Sequence, residues 1–199
     1  LIIDKERIVM AEKDNKETKE ELPVDKFLQT RSVMLTGEIN KESAEKVIKQ
    51  LRILENESDE PIKMFINSPG GDVEAGLAIF DMVRFINNEV FMIGMGLIAS
   101  AATLVLLAVD SDHRIGLPNS TYLIHQPMSR MEGVATDVEI YARQLEKTRD
   151  ILNSIISEQT GQTLEVVSKD TDRDYWLDAK GAQAYHLISK IIEKRSDLT

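Results

Sequence analysis

Ser100 and His125 are the side chains of this chain best placed to do chemistry. Ser100 comes between an apolar, strand-like run (residues 90–95) and a helix-like one (residues 103–109). At such a turn a side chain points outward, while the next backbone N–H groups are free to bind an anion. A serine hydroxyl is a weak nucleophile alone, so it needs a base, an orienting carboxylate and an oxyanion site. His125 closes the predicted strand 121–124 and is the candidate base.

Both residues also have a simpler interpretation. A serine at the start of an alanine-rich helix is commonly a cap or a small packing residue. A histidine at a strand end is commonly a hydrogen-bonded structural group. The acidic run at residues 170–174 is of a kind that usually faces solvent, so no single carboxylate stands out as the orienting group. The residues alone therefore leave the nucleophile hypothesis open.

A second turn could contribute to the same site. Pro69-Gly70-Gly71 follows the predicted strand 62–66, and the carboxyl ends of parallel strands meet at one edge of a sheet. Backbone N–H groups from this turn and from the Ser100 turn could therefore converge on one oxyanion. Paired glycines are also common in tight connections without function. The GK[ST] and GxGxxG patterns are absent, which argues against a nucleotide phosphate loop.

Composition excludes several classes of function. The net charge of -10 argues against nucleic acid or an anionic membrane as a partner. Because the 199 residues include no cysteine, disulfides, zinc-thiolate sites and a cysteine nucleophile are ruled out. No metal site is expected, because His113 and His186 stand apart from any ligand-spaced cluster. The apolar runs are too short to span a bilayer and the first residues do not resemble a signal peptide, so we expect a cytoplasmic protein.

The pattern of elements predicts an α/β domain with a largely parallel sheet over residues 23–199. Residues 1–22, with a dense charged run, are expected to form an arm. The longest helix is predicted to begin with a capping box of Thr136 and Glu139 and to end at Thr160-Gly161. Its apolar surface is wider than one core-facing stripe, which suggests that it also packs on another subunit.

Together these segments resemble the ClpP family, the proteolytic subunit of the Clp ATP-dependent protease. The motifs that carry the resemblance, in chain order, are Phe65-Ile66-Asn67-Ser68-Pro69-Gly70-Gly71, Gly96-x-x-Ala99-Ser100, Leu117-Pro118-Asn119, Ile124-His125-Gln126-Pro127, Ala135-Thr136-Asp137, Thr160-Gly161-Gln162 and Asp172-Arg173-Asp174. The likeness extends from about Pro23 to the C-terminus.

The resemblance implies a serine endopeptidase with a Ser-His-Asp triad at Ser100, His125 and Asp174. Its oxyanion donors would be the backbone N–H groups of Gly71 and Ala101. The implied fold is the ClpP/crotonase-type ββα superhelix with a protruding long helix, and the implied assembly is two stacked heptameric rings. Peptides and unfolded proteins would be the substrates and a Clp-type AAA+ ATPase the partner, with no cofactor in this subunit.

Several positions differ from the family's usual pattern. Ala101-Ala102 replaces Met-Gly after the serine, and Ser129-Arg130 replaces Gly-Gly on the segment expected to pair with substrate. Lys63 stands at a usually aromatic position of the cleft that docks the ATPase, where an ammonium weakens an apolar anchor. These differences suggest a divergent paralogue and, as one alternative, a weakly active ring subunit that needs a second ClpP-type partner. A crotonase-type acyl-CoA enzyme is the other alternative, because that superfamily also uses two backbone N–H groups as an oxyanion hole.

Overall fold

The computed structural model describes residues 23–198, in which strands and helices alternate. The arm predicted at residues 1–22 lies outside the described residues. The helices are α1 (Pro23–Leu28), α2 (Lys41–Glu57), α3 (Val73–Phe85), α4 (Ala101–Leu106), α5 (Ala135–Thr160), α6 (Leu164–Asp170) and α7 (Ala179–Ala184). The strands are β1 (Ser32–Thr36), β2 (Ile62–Ser68), β3 (Val90–Ala99), β4 (Arg114–Gly116), β5 (Thr121–Ile124), β6 (Tyr175–Asp178) and β7 (Lys190–Ile191), and short 3-10 helices cover Ser111–His113 and Arg195–Leu198.

The sheet is mostly parallel, which confirms the predicted fold class. Its main order is β1-β2-β3-β4-β7, with parallel pairing throughout. Strand β3 pairs with two different strands along its length: residues 92–94 pair with β4 and residues 97–99 pair with β5. Strand β6 joins the far side of β5 in the antiparallel direction. The strand ends that carry Ser100 and His125 are therefore adjacent.

Helices α2 and α3 begin where their side chains can cap them. Asn40 and Ser43 form a reciprocal capping box at α2. Asp72 accepts a 2.7 Å hydrogen bond from Ala75 N at α3. The Pro69-Gly70-Gly71 turn is thus followed immediately by a fixed helix start.

Strand β3 is longer than the sequence predicts and helix α4 begins earlier. The strand was expected to end at Met95 but continues to Ala99 through Gly96, whose φ of 63° is poorly suited to other residues. Asn67 supports the irregular region by accepting a 3.1 Å hydrogen bond from Leu97 N. Helix α4 then spans Ala101–Leu106 and is buried throughout, instead of starting at residue 103. No residue separates Ser100 from strand or helix.

The capping box predicted for α5 is wrong. The helix begins at Ala135 after Val134, so Thr136 already lies inside the first turn and cannot cap it. Its end at Gly161, in the left-handed conformation, is as predicted. Buried residues are confined to the last third, at Leu152, Asn153, Ile156 and Thr160, while residues 135–144 are all exposed. Among the helices of residues 23–198, none has the length and apolar character needed to cross a membrane.

Candidate active site

Ser100 sits in a strained turn between β3 and α4. Its φ of 55° and ψ of -122° are unusual for a residue with a side chain, and its hydroxyl does not cap the helix that follows. The backbone is held from both sides: Ser100 N donates to Leu123 O at 2.9 Å, and Thr103 Oγ1 contacts Ile98 O and Leu123 O. The hydroxyl is therefore presented by a fixed backbone and remains available to another partner.

That partner is His125, the first residue after β5. Its Nε2 lies 2.9 Å from Ser100 Oγ, and only 12% of the His125 side chain is exposed. When Nδ1 carries the imidazole proton, Nε2 is free to accept the serine proton. Strands β3 and β5 bring these two residues together because they end at the same edge of the sheet.

Asp174 completes the row of hydrogen bonds. Its Oδ1 lies 3.1 Å from His125 Nδ1. The antiparallel register pairs Ile124 with Tyr175, so the next residues outward on the two strands, His125 and Asp174, face each other. Unlike the histidine, Asp174 is largely in solvent, with 58% of its side chain exposed. A carboxylate at Nδ1 favours the tautomer in which Nε2 acts as a base.

The turn at Gly70-Gly71 packs directly on the Ser100 turn. A Cβ placed on Gly70 would lie 2.5 Å from Ala99 O and 2.9 Å from Ala101 N, so only glycine allows this approach. Gly71 has a φ of 145° and lies against the backbone of Ile39. Within residues 23–198 neither Gly71 N nor Ala101 N donates to a protein acceptor. The two packed turns thus each carry one N–H group that is free to bind an anion.

An apolar pocket opens beside the Ser100 hydroxyl. Its walls come from four elements and from the residues after β5: Val73, Ala101, Thr103, Leu104, Ile124, His125, Pro127, Leu152 and Ile156. The sequence does not single out Leu152 or Ile156 from the other apolar residues of the long helix. Their spacing of four residues places them on one helix face, but their position beside Ser100 follows only from the packing of α5.

The sequence comparison identifies the family. A family model described as Clp protease matches residues 14–195. The chain belongs to the Clp protease family. The ATP-dependent Clp protease proteolytic subunit 2 of Treponema pallidum (strain Nichols) is 59% identical over 174 residues, which is 87% of each chain. Subunit 3 of Rhizobium etli is 44% identical over 194 residues, covering 95% of this chain and 100% of the relative.

The fold comparison agrees with this Clp protease assignment. A solved structure of a mutant ClpP1 from Listeria monocytogenes superimposes with a TM-score of 0.84 at 44% sequence identity. It covers 89% of this chain and 100% of that one. Three expectations from the sequence are confirmed: the relation to the ClpP family, the ClpP fold, and the classification as a Clp protease proteolytic subunit. Membership of this family also favours a peptidase over the acyl-CoA alternative.

The other two histidines of this Clp protease chain lie away from Ser100, His125 and Asp174. His113 Nε2 is 2.9 Å from Glu89, and its ring meets Phe91 edge to face. His186 Nδ1 contacts Thr160 O at the end of α5. Among residues 23–198, no group of three or more His, Asp or Glu side chains could hold a metal ion.

Two of the departures from the usual family pattern, Lys63 and Ser129-Arg130, lie on different surfaces, whereas Ala101-Ala102 is buried in α4. Lys63 is half-buried on β2, beside Phe91 of β3 in the sheet register. The same face carries a second, smaller apolar cluster that includes Phe65. Ser129 and Arg130 are exposed in the segment between β5 and α5, where the Ser129 hydroxyl hydrogen bonds to the Tyr141 hydroxyl.

Proposed function

We propose that this chain is a serine endopeptidase whose nucleophile is Ser100. The observation that carries the proposal is the unbroken contact from Ser100 Oγ to His125 to Asp174, at 2.9 and 3.1 Å. His125 takes the hydroxyl proton as Ser100 attacks a peptide carbonyl carbon, and Asp174 holds the imidazole in the useful tautomer. His125 then gives the proton to the leaving amine, and water releases the acyl group by the same route.

The oxyanion of each tetrahedral intermediate is assigned to the N–H groups of Gly71 and Ala101. Both belong to backbone that the fold fixes before substrate arrives, so no reorganisation is needed as charge develops on the oxygen. Backbone donors do not depend on side-chain identity, which is why Ala101-Ala102 in place of Met-Gly is compatible with the mechanism. This chemistry uses no cofactor in the subunit itself.

The pocket beside Ser100 suggests which peptides are cut. Its aliphatic walls favour an apolar side chain next to the scissile bond. Because the pocket has a volume of only about 20 Å³, the walls must move apart to bury that side chain and hold the carbonyl against the nucleophile. A charged side chain would lose its hydration there without gaining a partner. We therefore expect cleavage after apolar residues.

Assembly into two stacked heptameric rings is part of the proposal. The first half of α5 presents apolar side chains to solvent, among them Val138 at 40%, Ile140 at 60% and Tyr141 at 38% exposure. An exposed apolar helix face of this kind is typical of a surface that other subunits cover. A Clp-type AAA+ ATPase would supply unfolded chains at the expense of ATP. The cytoplasm is the proposed location, on the strength of the family alone.

Replacing Ser100 with alanine tests the nucleophile. Ser100→Ala should abolish hydrolysis of peptides with apolar residues before the scissile bond and should abolish labelling by a fluorophosphonate, with an unchanged native mass. Ser154→Ala is the matched control, since this hydroxyl bonds only within α5. Turnover by the purified Ser100→Ala variant at the wild-type rate would rule out the assignment.

A weakly active subunit that depends on a second ClpP-type chain is the alternative that a specific observation favours. Arg130 places charge on the exposed segment beyond His125, where peptide is expected to pair. The relatives' names also carry the numbers 2 and 3. Peptide hydrolysis by the purified chain, alone and mixed with a paralogue, separates the two possibilities. Activity that appears only in the mixture supports the second.

A further inference from the structure

The carboxylate of Asp174 has little to hold it in place. Within residues 23–198 its only hydrogen-bond partner is His125, and more than half of its side chain is exposed. A free aspartate would sample several rotamers in water, so its direction must come from the backbone that carries it. That backbone is the short connection from the end of α6 to the start of β6, residues 171–174.

Thr171 is the buried anchor of this connection. It is 1% exposed, and its hydroxyl lies 2.9 Å from the side-chain amide of Asn153 and 2.8 Å from Val167 O. Its carbonyl accepts a 2.6 Å hydrogen bond from Gln126 N, the backbone group next to His125. Thr171 therefore links the two sides of the site. It precedes Asp174 by three residues in the chain, and its carbonyl binds the backbone of the residue that follows His125.

Asn153 is the other half of this contact. It is 4% exposed and lies on α5 between Leu152 and Ile156, which line the pocket beside Ser100. Its amide also reaches the Ser168 hydroxyl at 3.4 Å. The Thr171 hydroxyl has one proton and two acceptors within reach, Asn153 Oδ1 and Val167 O, while the Asn153 amide nitrogen donates to Ser168. A buried amide at this point has no water to replace a lost partner.

We propose that Asn153 is a positioning residue for the triad, acting through Thr171 to hold Asp174 against His125. The inference rests on the proposed function, because it needs Asp174 to orient the catalytic base. The contacts run from the Asn153 amide to the Thr171 hydroxyl. From Thr171, one path follows the backbone to Asp174, and a second passes through the hydrogen bond from Gln126 N to the neighbouring His125. Asn153 touches no substrate atom in this scheme, so its removal lowers kcat and leaves KM nearly unchanged.

The test is a double-mutant cycle with Asp174. Asn153→Leu keeps the branched arrangement of heavy atoms and removes the amide, and a misplaced orienting group should lower kcat by about 10- to 100-fold. In an Asp174→Ala background the same change should cost less than about 2-fold, because the group through which it acts is already gone. Rates are measured with an activated ester substrate, to detect the slow variants, and are normalised to native mass and fluorophosphonate-labelled sites.

Two variants of Thr171 test the inference independently, in case Asn153→Leu does not fold. Thr171→Val removes the hydroxyl at constant shape and should reproduce the loss of kcat, whereas Thr171→Ser keeps the hydroxyl and should restore most of it. Equal losses in the wild-type and Asp174→Ala backgrounds would mean a merely structural role and would overturn the inference. If Ser100→Ala were as active as wild type, the proposed function itself would be wrong.

Discussion

Ser100 and Asp174 stand at the two ends of one hydrogen-bonded row, but the chain holds them by different means. Ser100 leaves β3, which has hydrogen-bonded strands on both sides, and enters a fully buried helix. Asp174 leaves an exposed connection and enters β6, which pairs only with β5 among the described strands. Ser100 is thus fixed by the core of the sheet, and the Asp174 carboxylate by one strand pair and the anchor at Thr171.

This difference teaches where the site is vulnerable. Changes near Ser100 must disturb backbone in close contact, so they should damage chemistry and folding together. Changes near Asp174 should alter the chemistry and leave the fold intact, because little of the core depends on that edge. Substitutions at each end therefore separate the two.

The largest effect is expected at the weakly held end. Asp174→Asn removes the negative charge that stabilises the imidazolium and the preferred tautomer, so kcat should fall by about 10⁴-fold with little change in thermal stability. Steady-state peptide hydrolysis and a thermal melt measure the two quantities. The control is Asp59→Asn in the exposed turn before β2, which makes the same charge change away from the site. A loss of folding comparable to the loss of activity would contradict the contrast between the two ends.

At the fixed end, Gly70→Ala should lower both activity and stability. The new Cβ would come within 2.5 Å of Ala99 O and 2.8 Å of Ser100 Cβ, and the φ of 88° is itself unfavourable for alanine. The two turns must separate, and a displacement of this kind costs about 10²-fold in kcat. Gly133→Ala is the matched control, since its Cβ would meet nothing closer than 3.9 Å. A stable variant with normal kcat would show that the two turns are not rigidly packed.

The same contrast explains what could be predicted from the sequence. The Ser100 turn was visible in the residues alone, because apolar periodicity and a glycine turn mark strand ends. Asp174 was not visible, since its partner strand lies about 50 residues away and register across that distance follows no local pattern. Its assignment came only from family resemblance. The extension of β3 through Gly96 was missed because it depends on Asn67, which belongs to a different strand.

The pocket and the Asn153 contact were missed for a related reason. Leu152, Asn153 and Ile156 are ordinary residues of a helix stripe until the helix is placed against the Ser100 turn. Only packing distinguishes the buried third of α5 from its exposed remainder. The sequence correctly predicted that this helix has apolar residues beyond a single core-facing stripe.

The smallest effect tests how well the fixed end is packed. Tyr122 on β5 is completely buried, and this burial raises the pKa of its phenol to about 12. In the unfolded chain the phenol loses its proton near pH 10, while the folded chain keeps it, so this contribution to stability is complete below about pH 10 and is lost as the pH rises through the folded pKa. Over that interval the free energy of unfolding should fall by about 1.4 kcal/mol per pH unit on account of this residue.

Tyr122→Phe removes this alkaline dependence. At pH 7 the variant should lose about 1 kcal/mol, because the phenol accepts a 3.0 Å hydrogen bond from Ser120. At pH 11 this difference in the free energy of unfolding should disappear. The unfolded wild type then carries an ionised phenol that must regain its proton on folding, whereas the variant has no such group. Urea unfolding of both proteins at the two pH values gives the comparison. A deficit of the same size at pH 7 and pH 11 would mean that the strand beside His125 admits water, and that the Ser100 end of the site is less tightly packed than its hydrogen bonds imply.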